Sequence, residues 1–183
     1  MKKYLYVLFM FSASITGCGM QNNTNSSYIS SIENQVSSIT SSLPNSYKNY
    51  TSYENFTIKL NDMFNQNDVT YGVYFYSEYC PACASLKELL FNYMDNNNKC
   101  INLYLVDIGT TSEEDFSKLK NTNGLYEEEI INNNIGATTV EEVYFRTSPC
   151  IYFINNNNGK NSIFNHYVNY SDVYNFLFNN VMK

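Results

Sequence analysis

Val73-Tyr74-Phe75-Tyr76-Ser77-Glu78-Tyr79-Cys80-Pro81-Ala82-Cys83 is the stretch on which the reading of this chain turns. Residues 71–76 form a continuous β-prone run, which fits a strand buried on both faces. Two cysteines follow at once, three residues apart, where a helix should begin. Cys83, Leu86, Leu90, Tyr93 and Met94 share a stripe at helical spacing, so Cys80 falls at about the N-cap and Pro81 in the first turn. Proline is pre-organised there and gives up no N–H that the helix needs. The unpaired N–H groups and the helix dipole favour a thiolate at Cys80, below the free value of ~8.5. Cys83, one turn in and facing the core, is the more buried thiol. The first sulfur can attack a disulfide and the second can resolve the mixed disulfide that results.

Working outward, residues 101–108 read as a second buried strand, so strand, helix and strand make a unit with parallel strands. Ahead of the first strand, Phe56, Leu60, Met63 and Phe64 suit one face of a helix, with a strand open before Leu60. After the second strand, residues 109–142 are acidic and read as helical pieces at 112–120 and 125–132, with a short turn at 139–142. Ser148-Pro149 then interrupts, and residues 150–154 read as a third apolar strand. Asn158-Gly159 signals a hairpin, with residues 162–168 returning antiparallel. Ser171 is the expected N-cap of a final helix whose Val173, Phe176, Leu177 and Val181 face inward. The expected class is α/β: a central mixed sheet flanked by helices, with a helical insert before the third strand.

The segment ending in Cys80-Pro81-Ala82-Cys83 resembles the strand-to-active-site segment of the thioredoxin superfamily, with Tyr79 where those proteins usually carry Trp. Arg146-Thr147-Ser148-Pro149-Cys150-Ile151-Tyr152-Phe153, followed by Asn158-Gly159-Lys160, resembles that superfamily's cis-proline loop, next strand and hairpin. The resemblance runs over about residues 53–183. Within the superfamily the pattern is nearest to the thioredoxin-like proteins called bacteriocin transport accessory proteins. It implies a thioredoxin-like fold, Cys80 as nucleophile and Cys83 as resolving thiol. It further implies a cis Ser148–Pro149 bond packed against the pair and a substrate groove of Tyr79, Pro81, Ala82, Ser148 and Pro149. No cofactor or metal is implied. One departure stands out: thioredoxins usually carry a buried acid in the active-site strand, and Tyr74 occupies that position here. Glu78 lies nearby but is expected to face solvent. Loss of the acid should slow reductant chemistry more than oxidant chemistry, and with Pro81 it favours an oxidant or isomerase.

The chain has 183 residues, enough for one domain with a sizeable core. Its 44% hydrophobic and 16% aromatic content excludes a disordered composition. Residues 1–17 read as a signal peptide. Lys2 and Lys3 give a charged start, residues 4–15 are apolar and too short to span a bilayer comfortably, and Ile15-Thr16-Gly17-Cys18 resembles the bacterial lipobox. That resemblance implies diacylation of Cys18 and a mature chain that begins there, anchored on the outer face of the cell membrane. Residues 18–52 are Ser- and Asn-rich and read as a tether, although Ile29, Ile32, Val36 and Ile39 recur at helical spacing. Losing Lys2 and Lys3 takes the net charge from −6 to −8, by removal of their +2. With no basic run, such a chain is a poor ligand for nucleic acid or for anionic lipid through its surface. Its expected partners are protein or peptide thiols and disulfides, the membrane through the lipid, and a redox partner that the sequence does not name.

The remaining candidates are weaker. Cys150, just after the proline, is read as an inert core thiol in preference to one within reach of the pair, and Cys100 as a core or unpaired thiol, with a Cys100–Cys150 disulfide left open. His166, the sole histidine, is read as a surface or half-buried structural residue. Two further functions compete with disulfide exchange: a metal-binding lipoprotein using Cys80, Cys83 and Cys150 or His166, and a non-catalytic thioredoxin-like accessory lipoprotein.

Overall fold

The computed structural model describes residues 48–157 and 159–181; the signal-peptide and lipidation readings and most of the tether lie outside them. Four strands form one sheet in the order β2-β1-β3-β4: β1 Thr70–Tyr76, β2 Asn102–Asp107, β3 Cys150–Asn157 and β4 Lys160–Tyr167. β1 runs parallel to β2 and antiparallel to β3, and β4 returns antiparallel to β3. Four helices surround it: α1 Pro81–Asp95, α2 Glu113–Phe116, α3 Glu127–Asn134 and α4 Tyr170–Val181. The sheet is mixed and flanked by helices, an α/β architecture.

β1 is central, and this explains its unbroken apolar run: every residue from Tyr71 to Tyr76 is buried. Alternation splits it between two cores. Tyr74 and Tyr76 point into a cluster with Cys83, Leu86 and Leu90 of α1 and Val173, Phe176 and Leu177 of α4. Tyr71, Val73 and Phe75 point the other way, with Met63, Val140, Val143, Cys150 and Tyr152. Gly72 is needed for close approach, because a Cβ there would come 2.4 Å from the Leu103 side chain. Gly159, at φ +81°, turns the β3–β4 hairpin.

Four local expectations are corrected. The stretch holding Phe56, Leu60, Met63 and Phe64 is neither helix nor strand but two short 3₁₀ turns, Tyr50–Phe56 and Leu60–Asp62. Between them the Ile58 N–H bonds to the Leu105 carbonyl at 2.9 Å, so the outer edge of β2 takes backbone that a helix would need. Second, the helical piece expected over 112–120 stops after one turn. Lys120 instead forms a bridge with Tyr144, and its N–H donates to the Val143 carbonyl at 2.7 Å. Third, α4 is capped by Asn169 rather than Ser171: the Asn169 side-chain oxygen accepts from the Asp172 N–H at 2.9 Å. Fourth, Tyr50 belongs to the packed fold, stacked on Tyr76 with centroids 3.8 Å apart.

Candidate functional site

Strand β1 ends at Tyr76, and three residues later the chain has turned into α1. The turn is closed by the Cys80 N–H donating to the Ser77 carbonyl at 3.1 Å. Cys80 is then the N-cap, with extended backbone and Pro81 directly behind it in the first turn. Its sulfur takes the place of a capping oxygen and accepts from the Cys83 N–H at 3.2 Å. The sequence therefore aims a helix N-terminus at one sulfur, and both members of the pair are free thiols.

The two thiols differ sharply in environment. Burial works to raise the Cys80 pKa, but hydrogen bonds from Cys83, from the backbone at Cys83 and Ala82 and from Ser148 outweigh it and hold the thiol below its ordinary value. Cys83 is wholly buried. Burial, then the hydrogen bond with Cys80, pushes it up to about 12. Cys80 is half-exposed and can meet a substrate; Cys83 can meet only what Cys80 has already bonded.

Opposite the pair lies the loop leading into β3. The Ser148–Pro149 peptide bond is cis, and the Cys80 thiol donates to the Ser148 carbonyl at 3.4 Å. Ser148 is half-buried and Pro149 buried, while Pro81 is exposed and Ala82 half-exposed on the rim. Tyr79, immediately before the nucleophile, is 87% exposed, an unusual state for a large aromatic ring. Of the residues named from sequence, Tyr79, Pro81 and Ala82 adjoin the two cysteines along the chain, and the Ser148 carbonyl meets the Cys80 sulfur.

No protein-family model matches this chain, and no curated protein matches it. A solved thioredoxin from Plasmodium falciparum is similar. It is 16% identical, with the match covering 68% of this chain and 88% of that one at a TM-score of 0.36.

The other candidates do not share the pair's face of the sheet. Cys150 is buried in the core on the opposite face, where burial pushes its thiol well up and Cys83, across the sheet, raises it further. It is a free thiol, so the Cys100–Cys150 disulfide is not formed. Cys100 lies exposed just ahead of β2 rather than in the core. His166 is not at the surface: it is 2% exposed, stacked on Tyr152 with centroids 4.0 Å apart, and its Nδ1 accepts from the Asn134 side-chain amide at 2.9 Å. Burial lowers its pKa to about 3. No group of three His, Cys, Asp or Glu suited to a metal ion occurs among the described residues.

Sequence reasoning noted Tyr74 only as the place of a missing acid and left Tyr50 in the tether. Both hydroxyls are buried beside the pair. Nothing local marks Tyr50, which comes to the site from thirty residues before Cys80.

Proposed function

We propose that this chain is a thiol–disulfide oxidoreductase acting on protein or peptide substrates through Cys80 and Cys83. In this reading it works outside the cytoplasm, held at the membrane by acylated Cys18. The observation that carries the reading is the unequal pair: a helix-capping, half-exposed Cys80 sulfur with a lowered pKa, one turn from a buried Cys83 thiol. A thiolate is the attacking species, and a buried second thiol is reached only through the mixed disulfide. Exposed Tyr79 and the Ser148 carbonyl beside Cys80 support a groove for an extended peptide. Lipid anchoring and the outward location rest on residues 1–18 alone. The metal-carrier alternative needs Cys150 or His166 at the pair, and both belong to the other side of the sheet.

The test is a redox titration of the Cys80–Cys83 couple against glutathione. A reversible two-electron couple between about −120 and −270 mV is expected, the upper end marking an oxidant or isomerase and the lower end a reductant. The absence of any reversible couple, or disulfide exchange that survives Cys80→Ser, would overturn the proposal.

A further inference from the structure

Asn134 closes α3, and it is wholly buried. A buried amide is tolerated where its polar groups are bonded. Its oxygen accepts from the Tyr144 N–H at 2.7 Å, and its nitrogen donates to the Tyr144 carbonyl and to His166 Nδ1, both at 2.9 Å. A side-chain amide carries the donor and acceptor of a peptide unit, so Asn134 pairs with Tyr144 as a neighbouring strand would. The residues after Asn134 are pinned to β4. The Gly136 N–H donates to the Ile163 carbonyl at 2.7 Å, and the Ile163 N–H to the Ala137 carbonyl at 2.9 Å.

Lys120 takes the opposite edge of the same short segment. Its N–H donates to the Val143 carbonyl at 2.7 Å, and its carbonyl accepts from the Phe145 N–H at 3.4 Å. Its ammonium lies over the Tyr144 ring, 4.9 Å from the centroid. The Val143 N–H donates to the Val140 carbonyl at 3.0 Å, so every backbone polar group from the Val143 N–H to the Phe145 N–H is bonded. Packing adds to the hold: the Phe145 ring meets Phe75 at 5.7 Å and Phe116 at 5.8 Å. Lys120 and Asn134 both belong to the insert between β2 and β3, which therefore grips residues 143–145 from two edges.

The loop that faces the nucleophile comes next. Arg146 and Thr147 are exposed, and the Thr147 hydroxyl bonds only to the following Ser148 carbonyl, at 3.3 Å. That carbonyl also accepts from the Cys80 thiol, and Pro149 behind it is buried. β3 holds the far side of the loop, where Cys150 pairs with Phe75. The near side has two exposed residues and then the grip on Tyr144.

We propose that Asn134 is a positioning residue for the Ser148–Pro149 loop: through Tyr144 it sets where that loop stands against Cys80, and so how an extended peptide disulfide is received. The proposal rests on the thiol–disulfide reading of the pair and on its peptide groove. A small disulfide needs only the Cys80 sulfur. An extended peptide needs the loop in place as well, and a misplacement of about 1 Å can cost up to about 100-fold.

The test is a single turnover, in which the pair itself supplies the electrons. The reduced full chain is mixed with excess hydroxyethyl disulfide, or with an extended peptide bearing a mixed disulfide to thionitrobenzoate. Cys80 and Cys83 give up two electrons and become a disulfide, and each substrate leaves as two thiols. Asn134→Ala should raise the half-saturating peptide concentration about fivefold or more, and keep the hydroxyethyl disulfide rate within about twofold. Asn134→Asp retains an acceptor for the Tyr144 N–H but loses the donor. It should give the same split to a smaller degree, and it carries the test if Asn134→Ala does not fold. Ile154→Ala opens the same core further along β3 and controls for lost stability, so it should slow neither substrate by more than about twofold. Equal effects on both substrates, no effect on either, or the same split from Ile154→Ala would overturn the proposal. Failure of the underlying reading looks different: the reduced parent would react with neither disulfide, or exchange would survive Cys80→Ser.

Discussion

On the face of the sheet that carries α1, the hydroxyls of Tyr50 and Tyr74 make no hydrogen bond. On the opposite face Tyr71 donates to the Met63 carbonyl at 3.0 Å and Tyr152 to the Tyr144 carbonyl at 3.0 Å. Asn134 there is fully engaged: its oxygen accepts from the Tyr144 N–H at 2.7 Å, and its amide reaches the Tyr144 carbonyl and His166, both at 2.9 Å. The contrast extends to the cysteines. Cys83 and Cys150 are equally inaccessible, yet Cys83 has a half-exposed partner one turn away at a helix terminus, and Cys150 has an aromatic core. Burial is therefore not what distinguishes the two thiols. What distinguishes them is the partner: only Cys83 has a half-exposed thiol one turn away, at a helix terminus.

The largest expected effect sets these two thiols against each other. Cys83→Ser should trap substrate on Cys80 and lower multiple-turnover exchange by about 10³-fold, with the mixed disulfide visible by mass spectrometry. Cys150→Ser should leave the half-life of the mixed disulfide where it was. Its cost falls on the fold instead, on the order of 1–3 kcal/mol in urea unfolding, because it puts a hydroxyl among Phe75, Val73 and Tyr152. If Cys150→Ser also trapped substrate, the division between the faces would be broken.

Acid should reveal the second face next. His166 has its folded pKa lowered to about 3 by burial, against 6.5 for the ordinary side chain. Below pH 6.5 the unfolded chain binds a proton that the folded chain refuses. The stability tied to neutral His166 is thus complete above pH 6.5 and drains away as pH falls toward 3, at about 1.4 kcal/mol per pH unit. His166→Phe retains a ring to stack on Tyr152 and should flatten that part of the urea-derived stability profile between pH 6 and 4. An unchanged slope would mean that protonated His166 is accommodated in the fold. Asn134→Leu should cost about 2–3 kcal/mol at neutral pH, since it strands the Tyr144 N–H and the His166 ring and leaves the Tyr144 carbonyl only its bond from Tyr152. A value near zero in urea unfolding would show that water replaces all three bonds.

The parts of this structure that were legible in sequence are those specified by short-range pattern. The apolar run of β1, the cap-and-proline start of α1, its inward stripe and the Asn158-Gly159 hairpin depend on residues within a turn or two of each other. The parts that were not legible depend on partners far along the chain. His166 looked like a half-exposed strand residue because Asn134, which makes its burial tolerable, lies 32 positions earlier. The 112–120 helix failed because Lys120 finds Tyr144 across the fold, an interaction without local signature. At the site, Cys80, Cys83, Ser148 and Pro149 were readable as motifs. Tyr50 was not, because its place is set by stacking on Tyr76 and by contact with Phe91.

The smallest expected effect tests whether Ser148 acts through its side chain or only through its backbone. Its carbonyl accepts from the Cys80 thiol at 3.4 Å, a bond that favours the protonated form. Its side chain is among the groups that lower both thiols. These influences oppose each other, and Ser148→Ala removes only the second. Cys80 should then titrate higher. At pH 7 its alkylation should slow by roughly two- to tenfold, and parent and variant should converge once pH exceeds both pKa values. Stability should barely change, because the hydroxyl lies at a half-exposed rim rather than in either core. A uniform slowing at all pH values would point to altered access instead of altered charge, and would assign the lowering of Cys80 to the helix N-terminus alone.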